Sequence, residues 1–192
     1  MVNFMNGHEA LTVLMEGNKR FVDGKNTHRQ FNSRREELKS GQKPIATVVS
    51  CSDSRVVPEY IFDQGLGDIF TVISAGNVVD KIGLGSIEYA VGHLHTPLLI
   101  VMGHEKCGAV AAAYDDFKES NITEIVNKIK PSVAKVKKGK DKPSECELLA
   151  NENVKEVIHE IKKSPVVQEA VHKGLKIVGM KYHLDGKVEI LQ

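Results

Sequence analysis

Five residues in two short stretches have types and spacing better suited to chemistry than to folding. In VVSCSDSRVVPE (residues 48–59) an apolar run ends at Cys51, and Asp53 and Arg55 follow at alternate positions. In LIVMGHEKCGAV (residues 99–110) a second apolar run leads into His104, with Cys107 three residues on. Two thiolates and an imidazole suit zinc, and three protein ligands leave the fourth tetrahedral position open. An open position marks a catalytic site more often than a structural one, because a metal-bound water can be acidified there to a pKa of about 7. A divalent ion with two thiolates and neutral His104 carries no net charge, so this site acidifies water less than an all-histidine site. A nearby carboxylate, Asp53, can accept a hydrogen bond from the hydroxide and orient it. Arg55 held against that carboxylate keeps it ionised. In an extended segment positions 51, 53 and 55 share one side, which puts ligand, orienting acid and acid-holder in one place.

Each feature alone also has a plain structural reading. Cys51 can be a small core residue, Asp53 and Arg55 a loop ion pair, and His104 and Cys107 ordinary residues of a helix start. Together, after two separate apolar runs, they favour a metal site. His93 and His95 read as helix-end and loop residues, and Cys146, among charges in SECELL, as a bystander.

The elements that must position these residues follow from hydrophobic pattern. Residues 44–50, 68–74 and 97–103 are short, nearly continuous β-branched runs bounded by Gly, Pro or Ser, as in strands covered on both faces of a parallel sheet. Helical stretches alternate with them at 58–65, 83–94 and 107–117, the signature of an α/β fold. If strands one and three are adjacent, with strand two on the other flank of strand one, the gap between one and three is a switch point where open α/β sheets bind ligands. His104 and Cys107 are then expected on one face of a first helical turn, and the helix N-terminus favours a Cys107 thiolate. Asn6 and Glu9 have capping-box spacing at the start of a first helix, which Gly17 ends or interrupts. A second short helix over 33–41 stops at Gly41. Residues 121–173 are mostly helical, with 135–145 as a surface loop whose lysines form a solvated face. Residues 174–191 form two strands joined at Asp185-Gly186, the last antiparallel.

The expected architecture is one α/β domain over 1–192: an N-terminal helical arm (1–41) and a core (42–192). Its sheet has four mostly parallel strands in order 2-1-3-4 and a fifth, antiparallel edge strand, flanked by helices. The 192 residues are 41% hydrophobic with formal net charge +1, which excludes a global field that attracts nucleic acid or an anionic membrane. No apolar run approaches the roughly 20 residues of a membrane span. The start does not read as a secretory signal, so the expected location is the cytoplasm. Three cysteines, an odd and small number, argue against a disulfide framework.

CSDSR followed by GHEKCGAV resembles the β-class carbonic anhydrases, from about the first helix to the last strand. The resemblance implies one zinc ion per chain on Cys51, His104 and Cys107, with Asp53 and Arg55 as catalytic dyad. The implied reaction is that of a carbonate dehydratase (a lyase), reversible hydration of carbon dioxide to bicarbonate and a proton by zinc-bound hydroxide. Gln42, Phe70 and Tyr89 match the substrate-pocket residues of the plant-like, open-site type, and the chain lacks the tryptophan of the other type's bicarbonate pocket. A homodimer or higher homo-oligomer with the site at the dimer interface is implied as well. Many members carry an arginine soon after the phenylalanine, where this chain has Ile73 and Ser74. The same site could instead hydrolyse carbon disulfide or carbonyl sulfide, or serve a non-catalytic zinc or redox-sensing protein.

Overall fold

The computed structural model describes residues 5–27, 31–139 and 141–191. Residues 1–4, where the chain's start was read, and Lys140 of the lysine-rich stretch lie outside them.

The β-branched runs form the strands their pattern predicts: β1 (Ala46–Cys51), β2 (Ile69–Ser74) and β3 (Leu98–His104), followed late in the chain by β4 (Lys176–Tyr182) and β5 (Val188–Ile190). They make one sheet in the order β2-β1-β3-β4-β5. All pairs are parallel except the antiparallel β4–β5 hairpin. Every residue of β1 and β3 is buried, as central parallel strands require, whereas the edge strand β2 leaves Ile73 half exposed.

Side chains alternate between two cores. Val48, Ile100 and Met180 face Ala10 and Leu14 of α1 (Gly7–Val22) and Ile61 of α3 (Pro58–Ile61). Val49, Leu99 and Val101 face α4 (Lys81–Gly92) and, further along the chain, α7 (Lys142–Ile161) and α8 (Pro165–His172). A third cluster joins Cys51 and Cys107 to α5 (Gly108–Tyr114), α6 (Ile122–Val136) and α7. The remaining helix, α2 (Phe31–Glu37), is extended by a 3-10 turn and stops at Gly41.

The Asn6 cap is closed on both sides: Asn6 Oδ1 accepts from Glu9 N–H at 3.1 Å, and Glu9 Oε2 accepts from Asn6 N–H at 2.8 Å. The expectation for Gly17 is corrected. α1 runs through it, because the missing side chain lets the helix touch α3: a Cβ on Gly17 would stand 1.8 Å from the Phe62 carbonyl oxygen. Further along α1, buried Asn18 donates to the Ile61 and Gly186 carbonyls (3.1 and 2.8 Å) and accepts from Val188 N–H (3.0 Å). Helix α1 is thereby fastened to both α3 and the β4–β5 hairpin, whose turn contains Asp185 and Gly186 as expected.

The 135–145 stretch is also corrected. α6 continues to Val136 and α7 starts at Lys142, so the loop is shorter. Its last residue, Glu145, is buried and accepts from the Tyr114 hydroxyl at 2.7 Å, which pushes that phenol up to about 12. The flanking lysines are neutralised: Lys135 by Glu152 and Glu156, Lys142 by Asp115.

Gly17→Ala is expected to destabilise the chain by at least about 1–3 kcal/mol, since backbone rather than a flexible side chain occupies the space. Urea unfolding checks this, and an unchanged midpoint would contradict the close packing of α1 on α3.

Candidate metal centre

β1 and β3 lie side by side, with Ser50 opposite Met102. Their C-terminal ends therefore deliver Cys51 and His104 to the same edge of the sheet. Cys107 reaches the same point by a tight turn. The helical-face expectation is corrected here: His104 is the last residue of β3, Lys106 takes a left-handed conformation (φ 52°), and Cys107 is the N-cap of α5. The Cys51 and Cys107 sulfurs and a ring nitrogen of His104 lie within 4.8 Å of one another, all buried. A tetrahedral ion with sulfurs at about 2.3 Å spaces two such ligands about 3.8 Å apart, inside that limit.

The imidazole is oriented for ligation. His104 Nδ1 lies 2.8 Å from the Glu105 carbonyl oxygen, to which it donates. That bond leaves Nε2 as the bare acceptor; it is fully buried and has no hydrogen-bond partner. A buried, unpartnered nitrogen beside two sulfurs is costly unless something fills the space between them. The donor set and its geometry fit a thiophilic divalent ion such as zinc.

The sulfurs are poised as a pair. The neighbouring Cys107, together with His104 and the Gly76 N–H (3.2 Å), draws the Cys51 thiol well below its ordinary value against its burial. Cys107 is pushed up by the same neighbour, and by burial. The backbone of Ala109 and Val110 at the helix start favours the Cys107 thiolate, as expected, while Cys51 and burial oppose it. Gly76 was missed in the sequence. It sits at φ 70°, where a Cβ would meet Ala109 and Ile129 at 2.9 Å, and only the AGN tripeptide around it hinted at a turn.

Asp53 and Arg55 come together by a different route from the extended alternation expected. The chain turns after Cys51: Val56 N–H donates to the Asp53 carbonyl at 2.8 Å, and Arg55 N–H to Asp53 Oδ1 at 3.0 Å. Aspartate favours such turns by binding backbone two residues on. The guanidinium then forks onto the carboxylate, Nε to Oδ1 at 2.8 Å and Nη2 to Oδ2 at 2.7 Å. These charge-assisted bonds hold the Asp53 carboxyl well below the usual carboxylate range. Asp53 Oδ2 ends 4.0 Å from His104 Nε2.

Gln42, Phe70 and Tyr89 lie elsewhere in the chain. Phe70 pairs with Thr47, four residues before the Cys51–Ser74 pair, so about 13 Å lower along the strands. Its ring is 6.2 Å from that of Tyr89, and Tyr89 and Gln42 line one open cleft of 630 Å³ with Leu66 and Leu94. Within one chain the three group with each other and not with the triad.

A sulfur–imidazole–sulfur cluster at the strand ends of a parallel sheet, with a clamped carboxylate beside it, is the arrangement of a metalloenzyme. The family model described as carbonic anhydrase matches residues 46–188. A carbonic anhydrase of Mycolicibacterium smegmatis is 41% identical over 191 residues, covering 94% of this chain and 91% of that one. Carbonic anhydrase 2 of Mycobacterium tuberculosis is 40% identical, covering 95% and 91%. Among solved structures, the β-carbonic anhydrase CafA of Aspergillus fumigatus superposes with a TM-score of 0.80 at 27% identity, covering 95% of this chain and 90% of its own. The tetrameric β-carbonic anhydrases of Sordaria macrospora give 0.78 at 26% identity, covering 96% and 95%. The chain belongs to the carbonic anhydrase family, in its β class.

Arg55→Leu removes both guanidinium bonds, and the Asp53 carboxyl is then expected to climb towards about 3.9. A carboxyl carbon NMR titration reads this; an unmoved Asp53 signal would contradict the clamp. With the folded value depressed, the pair's contribution is complete above the unfolded value and is lost as pH falls through the folded one. The variant therefore loses stability less steeply on acidification below about pH 4.

Proposed function

We propose that the chain hydrates carbon dioxide reversibly to bicarbonate and a proton, as a zinc-dependent carbonate dehydratase with one zinc per chain. The observation that carries this is the bare Nε2 of His104, buried beside two sulfurs and next to the Asp53–Arg55 clamp. Cys51, His104 and Cys107 are the ligands. When bound, zinc supplies Lewis acidity that brings a water's pKa towards neutrality.

The rest is the work of the chain's own side chains. Asp53, kept ionised, accepts a hydrogen bond from the attacking water and aims its lone pair at the substrate carbon. Arg55 fixes that carboxylate by two bonds, which would keep it from serving as a further ligand to a bound zinc and supports the open-site type. Gln42 donates to a substrate oxygen, and Phe70 and Tyr89 wall a small apolar pocket. These three lie far from the triad of their own chain, so they meet a triad only across a subunit boundary. The edge position of β2 and the exposure of Ile82 and Tyr89 support a homodimer or larger homo-oligomer built there. Among the described residues no helix is long and apolar enough to cross a membrane.

Stopped-flow hydration by the zinc-loaded protein tests the reading. Asp53→Ala is expected to lower kcat/KM by about 10- to 100-fold with zinc retained, as loss of an orienting partner does. Cys107→Ala is expected to lose zinc and activity together. No hydration above the uncatalysed rate, with sulfide released from carbon disulfide or carbonyl sulfide instead, would replace this substrate with a sulfur analogue.

A further inference from the structure

Helix α7 crosses behind the centre, close against the sheet. It can do so because β3 and β4 carry glycine at the crossing: a Cβ on Gly103 would stand 2.9 Å from Val154 Cγ2 and 3.3 Å from the Ala150 oxygen, and one on Gly179 3.0 Å from Val154 Cγ1. Two polar side chains of α7 then reach the two turns beside the sulfurs. Glu147 Oε1 accepts from Lys106 N–H at 3.1 Å, and Oε2 pairs with Lys181 Nζ at 2.7 Å. Lys106 is the left-handed residue immediately before Cys107. Six residues along α7, Asn153, 1% exposed, donates from Nδ2 to the Gly76 carbonyl at 2.9 Å. Gly76, also left-handed, is the residue whose N–H donates to Cys51 Sγ.

Neither Glu147 nor Asn153 is among the three grouped ligand residues. Each bonds one left-handed residue: Lys106 precedes Cys107 in the chain, and Gly76 donates its N–H to the Cys51 sulfur. The apolar residues Leu149, Ala150, Val154, Val157 and Ile161 fasten α7 to the core, so these two polar contacts add direction more than adhesion. We infer that Glu147 and Asn153 are positioning residues, and that α7 is the template fixing the separation of the two sulfurs and hence how tightly the metal is held. This rests on the reading that Cys51, His104 and Cys107 bind zinc.

The test follows zinc release from the full zinc-loaded chain to a chromophoric chelator, together with the thiolate-to-cobalt absorption band of the cobalt-substituted protein. Glu147→Ala and Asn153→Ala are expected to release zinc about 10- to 100-fold faster and to shift the band. Glu147→Gln combined with Lys181→Met keeps an acceptor for the Lys106 N–H without stranding a buried charge, and is expected to release at the wild-type rate. Glu147→Ala also strands the buried Lys181 ammonium, which lowers stability by itself. Adding Lys181→Met removes that charge. The double variant is expected to recover its melting temperature while still releasing zinc fast. Release that returns to normal with stability, or wild-type release in both alanine variants, overturns the inference. A wild-type chain that takes up no zinc overturns the metal reading itself, whereas normal wild-type uptake with unaltered variants overturns only the role of α7.

Discussion

Parallel pairing of β1 with β3 brings the C-terminal ends of two buried strands to one edge, and the site depends on that register. Thr47 sits opposite Leu99 and Ser50 opposite Met102, so Cys51 and His104 emerge within one residue step of each other. Because side chains alternate along a strand, a slip of one residue would turn Cys51 to the other face and exchange the two cores. Burial of Val48, Ile100 and Met102 on one side and Val49, Leu99 and Val101 on the other makes such a slip prohibitive. The hydrophobic effect thus fixes chemistry indirectly, by choosing which face each sulfur and nitrogen sees.

Electrostatics then refine what packing has set. The centre collects groups that are costly to bury: two thiols, an imidazole and a partly buried carboxylate. Three of the four are compensated locally. Cys51 has the Gly76 N–H, His104 Nδ1 has the Glu105 carbonyl, and Asp53 has the Arg55 fork. Among the nitrogen and oxygen atoms of the centre only His104 Nε2 is left without a partner, and it is buried beside the two sulfurs. Compensation of all but one of those atoms is what separates a prepared ligand site from a poorly packed core.

Much of this was legible in the sequence. Continuous β-branched runs gave the central strands, and the 2-1-3-4 order with an antiparallel fifth strand holds as expected. The triad was visible because Cys51 and His104 end two such runs and Cys107 follows three residues later. The errors share a cause. Alternation at 51, 53 and 55 suggested an extended segment, but aspartate's bond to backbone two residues on made a turn. Spacing at 104 and 107 suggested one helical face, but a left-handed Lys106 placed the residues on a strand end and a cap. Gly17 looked like a stop because sequence does not display the carbonyl of Phe62 against it. Turn geometry and contacts between distant segments leave no periodic trace. For the same reason Glu147 and Asn153 looked like ordinary polar residues of a charged helix.

The Asn18 clasp bears on how the chain can be made. It joins α1 to the Gly186 carbonyl across 168 residues, and β4, also late in the chain, completes the flank of β3. On a ribosome the first helix emerges long before either partner exists. Until the final hairpin is released, α1 has an amide to satisfy with water and an apolar face without its full cover. During synthesis the middle strands can therefore assemble before α1 is clasped. Closure waits for the β4–β5 hairpin, 168 residues after Asn18, and α1 keeps an uncovered apolar face until that hairpin has formed.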